Sequence, residues 1–183
     1  VDFSVQHVPV FQTHVPVDFK GATFSQVEAC VAHLGERSFR ARQVYRWVFQ
    51  HDAAAFSEMT NLPAASREKL EQTCIISRLQ LDRLHTASDG TRKFLFRVGG
   101  GERVESVLIP GNRRQTLCLS TQVGCRLACA FCRTGEGGLT RNLEPAEIVD
   151  QYLGVQRELR QAMGPEVDVY ITNLVLMGTG EPL

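Results

Sequence analysis

The sequence predicts a mixed α/β protein in which a small helical domain is followed by a short antiparallel β meander and then by the first β-loop-α-β unit of a parallel sheet or barrel. Three observations carry this. Residues 23–75 repeat apolar side chains at helical spacing, residues 79–109 alternate like strands around Asp89-Gly90 and a triple glycine at 99–101, and residues 116–177 run from strand through loop and helix to strand. The domain boundaries that follow are 1–22, 23–76, 77–110 and 111–183.

Residues 1–22 hold the near-repeat His7-Val8-Pro9-Val10 and His14-Val15-Pro16-Val17, whose prolines oppose helix and central strand alike, so an extended lead-in is expected. No cysteine or carboxylate stands at ligand spacing from these histidines, and they are assigned no role. A first helix is expected from a capping box of Ser25 and Glu28, with Phe24 as staple, Val27, Val31 and Leu34 on one face, and Gly35 as its stop. Ser38 is the expected cap of a second helix to Gln50. Its buried stripe is Ala41, Val44, Tyr45 and Val48, with Arg42 and Arg46 on another face. A third helix runs from Leu62-Pro63 to about Cys74. The arginines at 37, 40, 42 and 46 suit either a phosphate backbone or an ordinary solvated face, and Cys30 and Cys74 read as core residues.

Strands are expected over Leu79–Thr86, Arg92–Val98 and Val104–Ile109. In the last, Glu105 shares a face with Val107 and Ile109. It is an odd carboxylate if that face is buried and an ordinary one if Val104, Ser106 and Leu108 face the core. Beyond Pro110 a strand at Thr116–Ser120, a helix from Pro145 to about Met163 and an apolar strand at Thr172–Met177 make the β-loop-α-β unit. Chemistry in such units gathers at the carboxyl ends of the strands, where the long loop leaves.

That loop carries Cys125-x-x-x-Cys129-x-x-Cys132, preceded by Gly124. Three thiolates within eight residues can hold one corner of a cluster, and no histidine follows to close a four-ligand zinc site. A 4Fe-4S cluster on three cysteines leaves one iron open, which is what cleavage of S-adenosylmethionine requires. Phe131 is placed to shield the cluster or an adenine. In the run Gly178-Thr179-Gly180-Glu181-Pro182, backbone carbonyls and Glu181 are placed to receive the methionine ammonium. The cofactor-binding candidates are therefore Gly178, Gly180 and Glu181, and the metal candidates are Cys125, Cys129 and Cys132.

Composition adds limits. Lys+Arg and Asp+Glu are equal at 20 each, so nucleic-acid binding must rest on a local patch; between Gly111 and Arg141 stand Arg113, Arg114, Arg126, Arg133 and Arg141 against Glu136 alone. The start lacks a signal-peptide pattern and no run of about 18 apolar residues occurs, so a soluble cytoplasmic protein with no membrane partner is expected. A start without Met and a stop straight after an apolar strand predict a portion of a longer protein.

The stretch Thr116 to Cys132, with Arg141-Asn142-Leu143 and Gly180-Glu181-Pro182-Leu183, resembles the radical S-adenosylmethionine RNA methyltransferases of the RlmN and Cfr type. The resemblance covers roughly residues 23–183, including Phe39-Arg40-Ala41, and is most specific between 103 and 143. It implies the start of a radical SAM (β/α) barrel, a 4Fe-4S cluster and S-adenosyl-L-methionine as cofactors, 23S rRNA and tRNA as substrates, an electron donor such as flavodoxin, and a monomer. It also implies methylation of adenosine at C2 through a methyl-cysteine, or at C8 in the Cfr-like alternative. Glu105 falls at the family's proton-accepting carboxylate, and Cys118 matches the cysteine that resolves the RNA adduct through a disulfide. The methyl-carrying cysteine is expected beyond Leu183, so this portion is expected to be inactive alone. Arg133 and Thr179 depart from the commoner family residues. A non-catalytic metal- or RNA-binding module is the reading from another class.

Overall fold

The computed structural model describes residues 16–112, 114–127, 129–164 and 171–182. His7, His14, Arg113 and Leu183 lie outside the described residues. The chain divides into two units, one up to Ile76 and one from Ser77 onward.

The first unit contains β1 (Val17–Asp18), α1 (Phe24–His33), α2 (Phe39–Phe49), a 3-10 turn at Phe56–Glu58, α3 (Ala64–Thr73) and β2 (Cys74–Ile75). β1 lies within the stretch expected as lead-in and pairs in parallel with β2, Val17 opposite Cys74 and Asp18 opposite Ile75. The capping box of α1 is built on Thr23, not Ser25. Thr23 has extended backbone and accepts from the Gln26 amide at 3.3 Å, while Gln26 Oε1 accepts from the Thr23 amide at 2.7 Å. The spacing is the same, but Ser25 already lies in the first turn. Phe24 instead packs edge-on against Tyr45, with ring centroids 5.4 Å apart. Ser38 stands at the start of α2 in helical backbone and makes no side-chain cap bond, so that expectation is also corrected. The expected stripe holds: Ala41, Val44 and Val48 are fully buried and meet Val27, Val31, Met59 and Leu70 in one apolar cluster. Each buried valine, leucine or methionine among them contributes about 1.5–3 kcal/mol. The arginine face is partly engaged within the unit. Arg40 donates to the Asn61 carbonyl at 3.1 Å and lies over the Phe39 ring, and Arg46 donates to Gln50.

The second unit contains β3 (Gln80–Thr86), β4 (Arg92–Arg97), β5 (Arg103–Pro110), β6 (Gln115–Cys118), β7 (Gln122–Gly124), β8 (Leu139–Asn142), α4 (Pro145–Met163) and β9 (Asn173–Val175). Five strands form one sheet in the order β3-β4-β5-β6-β9; the first four pair antiparallel, and β6 and β9 pair parallel. Residues 77–110 and 111–183 thus share a sheet, and its pairing changes from antiparallel to parallel between β6 and β9. The β-loop-α-β unit is present, with β6 and β9 shorter than the apolar runs that predict them. One face of the sheet is the core: Phe94, Phe96, Val104, Leu108 and Leu117 pack with Val155 and Leu159 of α4. α4 opens with Pro145 at its first turn and a capping box between Glu144 and Glu147. No helix among the described residues is long and apolar enough to cross a membrane.

Candidate active site

The site is organised at the carboxyl ends of β6 and β9. Past Cys118 and Val175 the two strands stay laced together: Leu119 N donates to Val175 O, Gly178 N to Leu119 O, and Thr121 N to Thr179 O, at 2.8–3.0 Å. Side chains finish the seam, as Thr179 N donates to Ser120 Oγ at 2.9 Å and Glu181 N to Gln122 Oε1 at 3.0 Å. The approach is close enough to demand glycine. A Cβ on Gly178 would lie 2.7 Å from Leu119 O and Ser120 Oγ, and one on Gly180, whose φ is +113°, would lie 2.7 Å from Gln122 Cβ. The glycine run is therefore dictated by packing, and it leaves Glu181 at the mouth of the seam.

β7 and β8 form a small antiparallel pair that closes the base of the cysteine loop. Gly124 has φ +79°, and a Cβ there would collide with the Gly138 carbonyl, which accepts instead from Cys125 N at 3.0 Å. Cys125 leaves this pinch; Cys129 and Cys132 sit in the turn beyond it, where Cys132 N donates to Cys129 O at 2.9 Å. All three thiols are free and half-buried. Among the described residues no three Cys, His, Asp or Glu side chains converge as metal ligands, so the loop carries the three thiols without gathering them at one point. The donor set nonetheless suits a cluster held by thiolates, because the amides of Thr134 and Gly135 and the Thr134 hydroxyl aim at the Cys132 sulfur and hold its thiol below the usual range. Phe131 is 92% exposed and shields nothing in this conformation.

A cavity of about 420 Å³ joins these parts. Its walls include Arg126 and Leu127 of the cysteine loop, Gln122 and Asn142 of the β7–β8 pair, and Glu181 and Pro182 of the glycine run. Gln122 Nε2 donates to Asn142 Oδ1 at 2.9 Å, so one glutamine ties both rims through its two ends.

Glu105 and Cys118 occupy the sheet face opposite the core. Val107 faces Cys118 across β5 and β6, and Glu105 is two residues from Val107 on the same side. Val104, Ser106 and Leu108 point into the core, so Glu105 is solvated; its side chain is 47% exposed and pairs with Lys93 at 3.3 Å. Burial pushes the Cys118 thiol up, so it rests protonated.

Two networks escaped sequence reasoning. Gln151, fully buried on α4, accepts from Ser106 Oγ and Ser120 N and donates to Ser120 O, each at 2.9 Å, while Ser120 Oγ donates to Glu105 O at 2.6 Å. Glu147 takes both arms of Arg141, at 2.7 and 2.9 Å, together with the amides of Gly99 and Glu144. Burial raises the Glu147 carboxyl, yet Arg141 and the two amides outweigh it and hold it below the usual range. Arg141 also donates to Gly99 O and lies 3.6 Å from Glu102, so it is withdrawn from the expected RNA-facing patch. Arg114 and Arg126 are exposed, and Arg133 pairs with Glu136 at 3.9 Å. The available signal was a set of polar residues at 147, 150 and 151 interleaved with the buried stripe of α4.

Residues 17–76 match the family described as the ribosomal RNA large subunit methyltransferase N-terminal domain. The chain is 46% identical over 167 residues to the dual-specificity RNA methyltransferase RlmN of Geotalea uraniireducens, covering 91% of this chain and 46% of the relative. It is 48% identical to that of Pelobacter propionicus (91% and 45% covered) and 50% identical to RlmN 2 of Myxococcus xanthus (82% and 40% covered). The crystal structure of a radical SAM methyltransferase from Sphaerobacter thermophilus superposes with a TM-score of 0.80 at 38% identity, covering 91% of this chain and 48% of that one. The chain spans about half the length of the curated relatives it matches. The first unit thus matches the N-terminal domain family, and nine-tenths of the chain's length aligns with enzymes of the RlmN type.

Proposed function

We propose that a protein of the relatives' full length carrying this sequence is a radical S-adenosylmethionine RNA methyltransferase that methylates C2 of adenosine in 23S rRNA and tRNA. The observation that carries the proposal is the cavity joining the cysteine loop to the Glu181 end of the glycine run, at the carboxyl ends of a parallel strand pair. In this reading Cys125, Cys129 and Cys132 hold a 4Fe-4S cluster, and Gly178, Gly180 and Glu181 receive the methionine end of S-adenosylmethionine. The cluster, when bound, supplies the electron that cleaves S-adenosylmethionine to a carbon radical. Glu105 accepts a proton from the substrate, and Cys118, protonated at rest, supplies the thiol that resolves the RNA adduct. The Gln122 side chain holds the Glu181 amide against the β7–β8 rim, and Gln151 fixes Ser120, which anchors Thr179.

The α/β unit is read as the start of a radical SAM barrel. Support comes from β9, which forms the sheet's edge and leaves Leu174 and Leu176 about half exposed there. An adenine in folded RNA must be unstacked to reach the cavity. The partners proposed are rRNA and tRNA, with an electron donor such as flavodoxin, a monomeric state and a cytoplasmic setting.

The test is mass spectrometry of rRNA and tRNA treated with the reconstituted full-length protein, with Cys118→Ala as control. A methyl group at C2 that is lost in Cys118→Ala supports the proposal. A methyl group at C8 identifies a Cfr-like enzyme instead, and normal methylation by Cys118→Ala removes the role given to that thiol.

A further inference from the structure

Cys30 on α1 and Cys74 at the head of β2 are 44 residues apart in sequence, yet their sulfurs lie 3.1 Å apart. Both are buried, 3% and 2% exposed. Sequence spacing marks them only as core residues. A pair of core thiols would pack as two small apolar groups; these two instead make their closest polar contact with one another. We infer that Cys30 and Cys74 form a reversible disulfide that staples the N-terminal unit, made by exchange with a small-molecule disulfide. This is independent of the methyltransferase proposal and of Cys118.

A disulfide needs the sulfurs to close to about 2.05 Å, a movement of about 1 Å between side chains that already face each other. Cys74 is the sulfur placed to attack. The hydrogen-bonded contact with Cys74, together with burial, pushes the Cys30 thiol up, while the Cys30 contact and the Thr73 hydroxyl, 3.5 Å away, lower the Cys74 thiol. Access requires only a local opening, because β2 is held to β1 by two residue pairs. The Cys74 thiolate attacks one sulfur of the small-molecule disulfide and releases one thiol. Cys30 then attacks the resulting mixed disulfide through its own thiolate and releases the second thiol. Two protein thiols are oxidised, one external disulfide is reduced to two thiols, and no other oxidant is needed. The bond ties the middle of α1 to the strand that follows α3, so it crosses the whole helical unit.

The test equilibrates the purified chain with oxidised glutathione, followed by alkylation and peptide mapping, alongside thermal unfolding. Expected are a peptide pair linked through Cys30 and Cys74 and a rise of about 10 °C or more in the unfolding temperature of the N-terminal unit. Both should be reversed by dithiothreitol and absent in Cys30→Ser and Cys74→Ser. Repeating the exchange in mild urea, which opens the short β1–β2 pair, separates access from geometry. If Cys30 and Cys74 remain separately alkylatable there too, or if the linked form melts lower than the reduced one, the inference is overturned.

Discussion

Gln151→Leu tests how the core of the second unit positions the site. The amide is fully buried, as are Ser106 and Ser120, and its three bonds of 2.9 Å are made to the Ser106 hydroxyl and to both backbone groups of Ser120. Leucine fills similar space but leaves the Ser120 N–H and C=O without these partners, at about 1–3 kcal/mol each. The Ser106 hydroxyl can turn, and the added apolar surface returns about 1 kcal/mol, so a net loss of about 3 kcal/mol is expected. In urea unfolding followed by circular dichroism, that loss lowers the midpoint of the transition of this unit by about 1–2 M with an unchanged slope. A companion variant, Gln151→Glu, sharpens the test. It keeps the acceptor but turns an ionised oxygen toward the Ser120 carbonyl, so its carboxyl pKa in the fold is raised. Stability is then present when the carboxyl is protonated at low pH and is lost as pH rises through the raised value. A midpoint for Gln151→Leu within about 0.3 M of the parent would refute the reasoning, as would a Gln151→Glu variant with no such pH dependence.

Three further outcomes follow from the same geometry. Gly124→Ala, which forces a side chain at φ +79° into the Gly138 carbonyl, should cost about 2–4 kcal/mol and lower iron incorporation on reconstitution, measured by urea midpoint and iron assay. Asp150→Ala removes a fully buried carboxylate that accepts from Leu79 N and pairs with Arg157 at 3.4 Å; calorimetry should show a loss of about 3 kcal/mol, and a loss under 1 kcal/mol would mean the pair is dispensable. Glu147 has a folded pKa below its ordinary 4.5, so its share of stability is present above that value and is lost as pH falls through the depressed one; Glu147→Gln should flatten the urea midpoint between pH 5 and 3 relative to the parent.

Much of the fold is legible because its signals are local. Helical spacing finds the Ala41, Val44 and Val48 stripe, and the turn at Asp89-Gly90 finds the β3–β4 hairpin. The cap of α1 is misplaced by two residues because Thr23 with Gln26 and Ser25 with Glu28 offer the same spacing, and only the backbone of Thr23 is extended. Facing of strands is ambiguous in one strand alone: Glu105 is settled as solvated by pairing with β4 and β6 and by the α4 packing on the other face. The site is half legible. Three cysteines in eight residues announce themselves, but Gln151, Ser106 and Ser120 act through contacts 31 and 45 residues apart that no local pattern encodes. Arg141 shows the opposite failure, since a charge counted toward RNA is used up by Glu147 six residues on. The adjacency of Cys30 and Cys74 is likewise a product of packing and not of spacing.

The cluster site is tested most directly by anaerobic reconstitution with iron and sulfide, followed by metal and sulfide analysis and by absorption and electron paramagnetic resonance spectra. A brown protein with about four iron and four sulfide per chain, lost in Cys125→Ser, Cys129→Ser and Cys132→Ser, is the predicted result. A colourless protein that binds zinc stoichiometrically would contradict it.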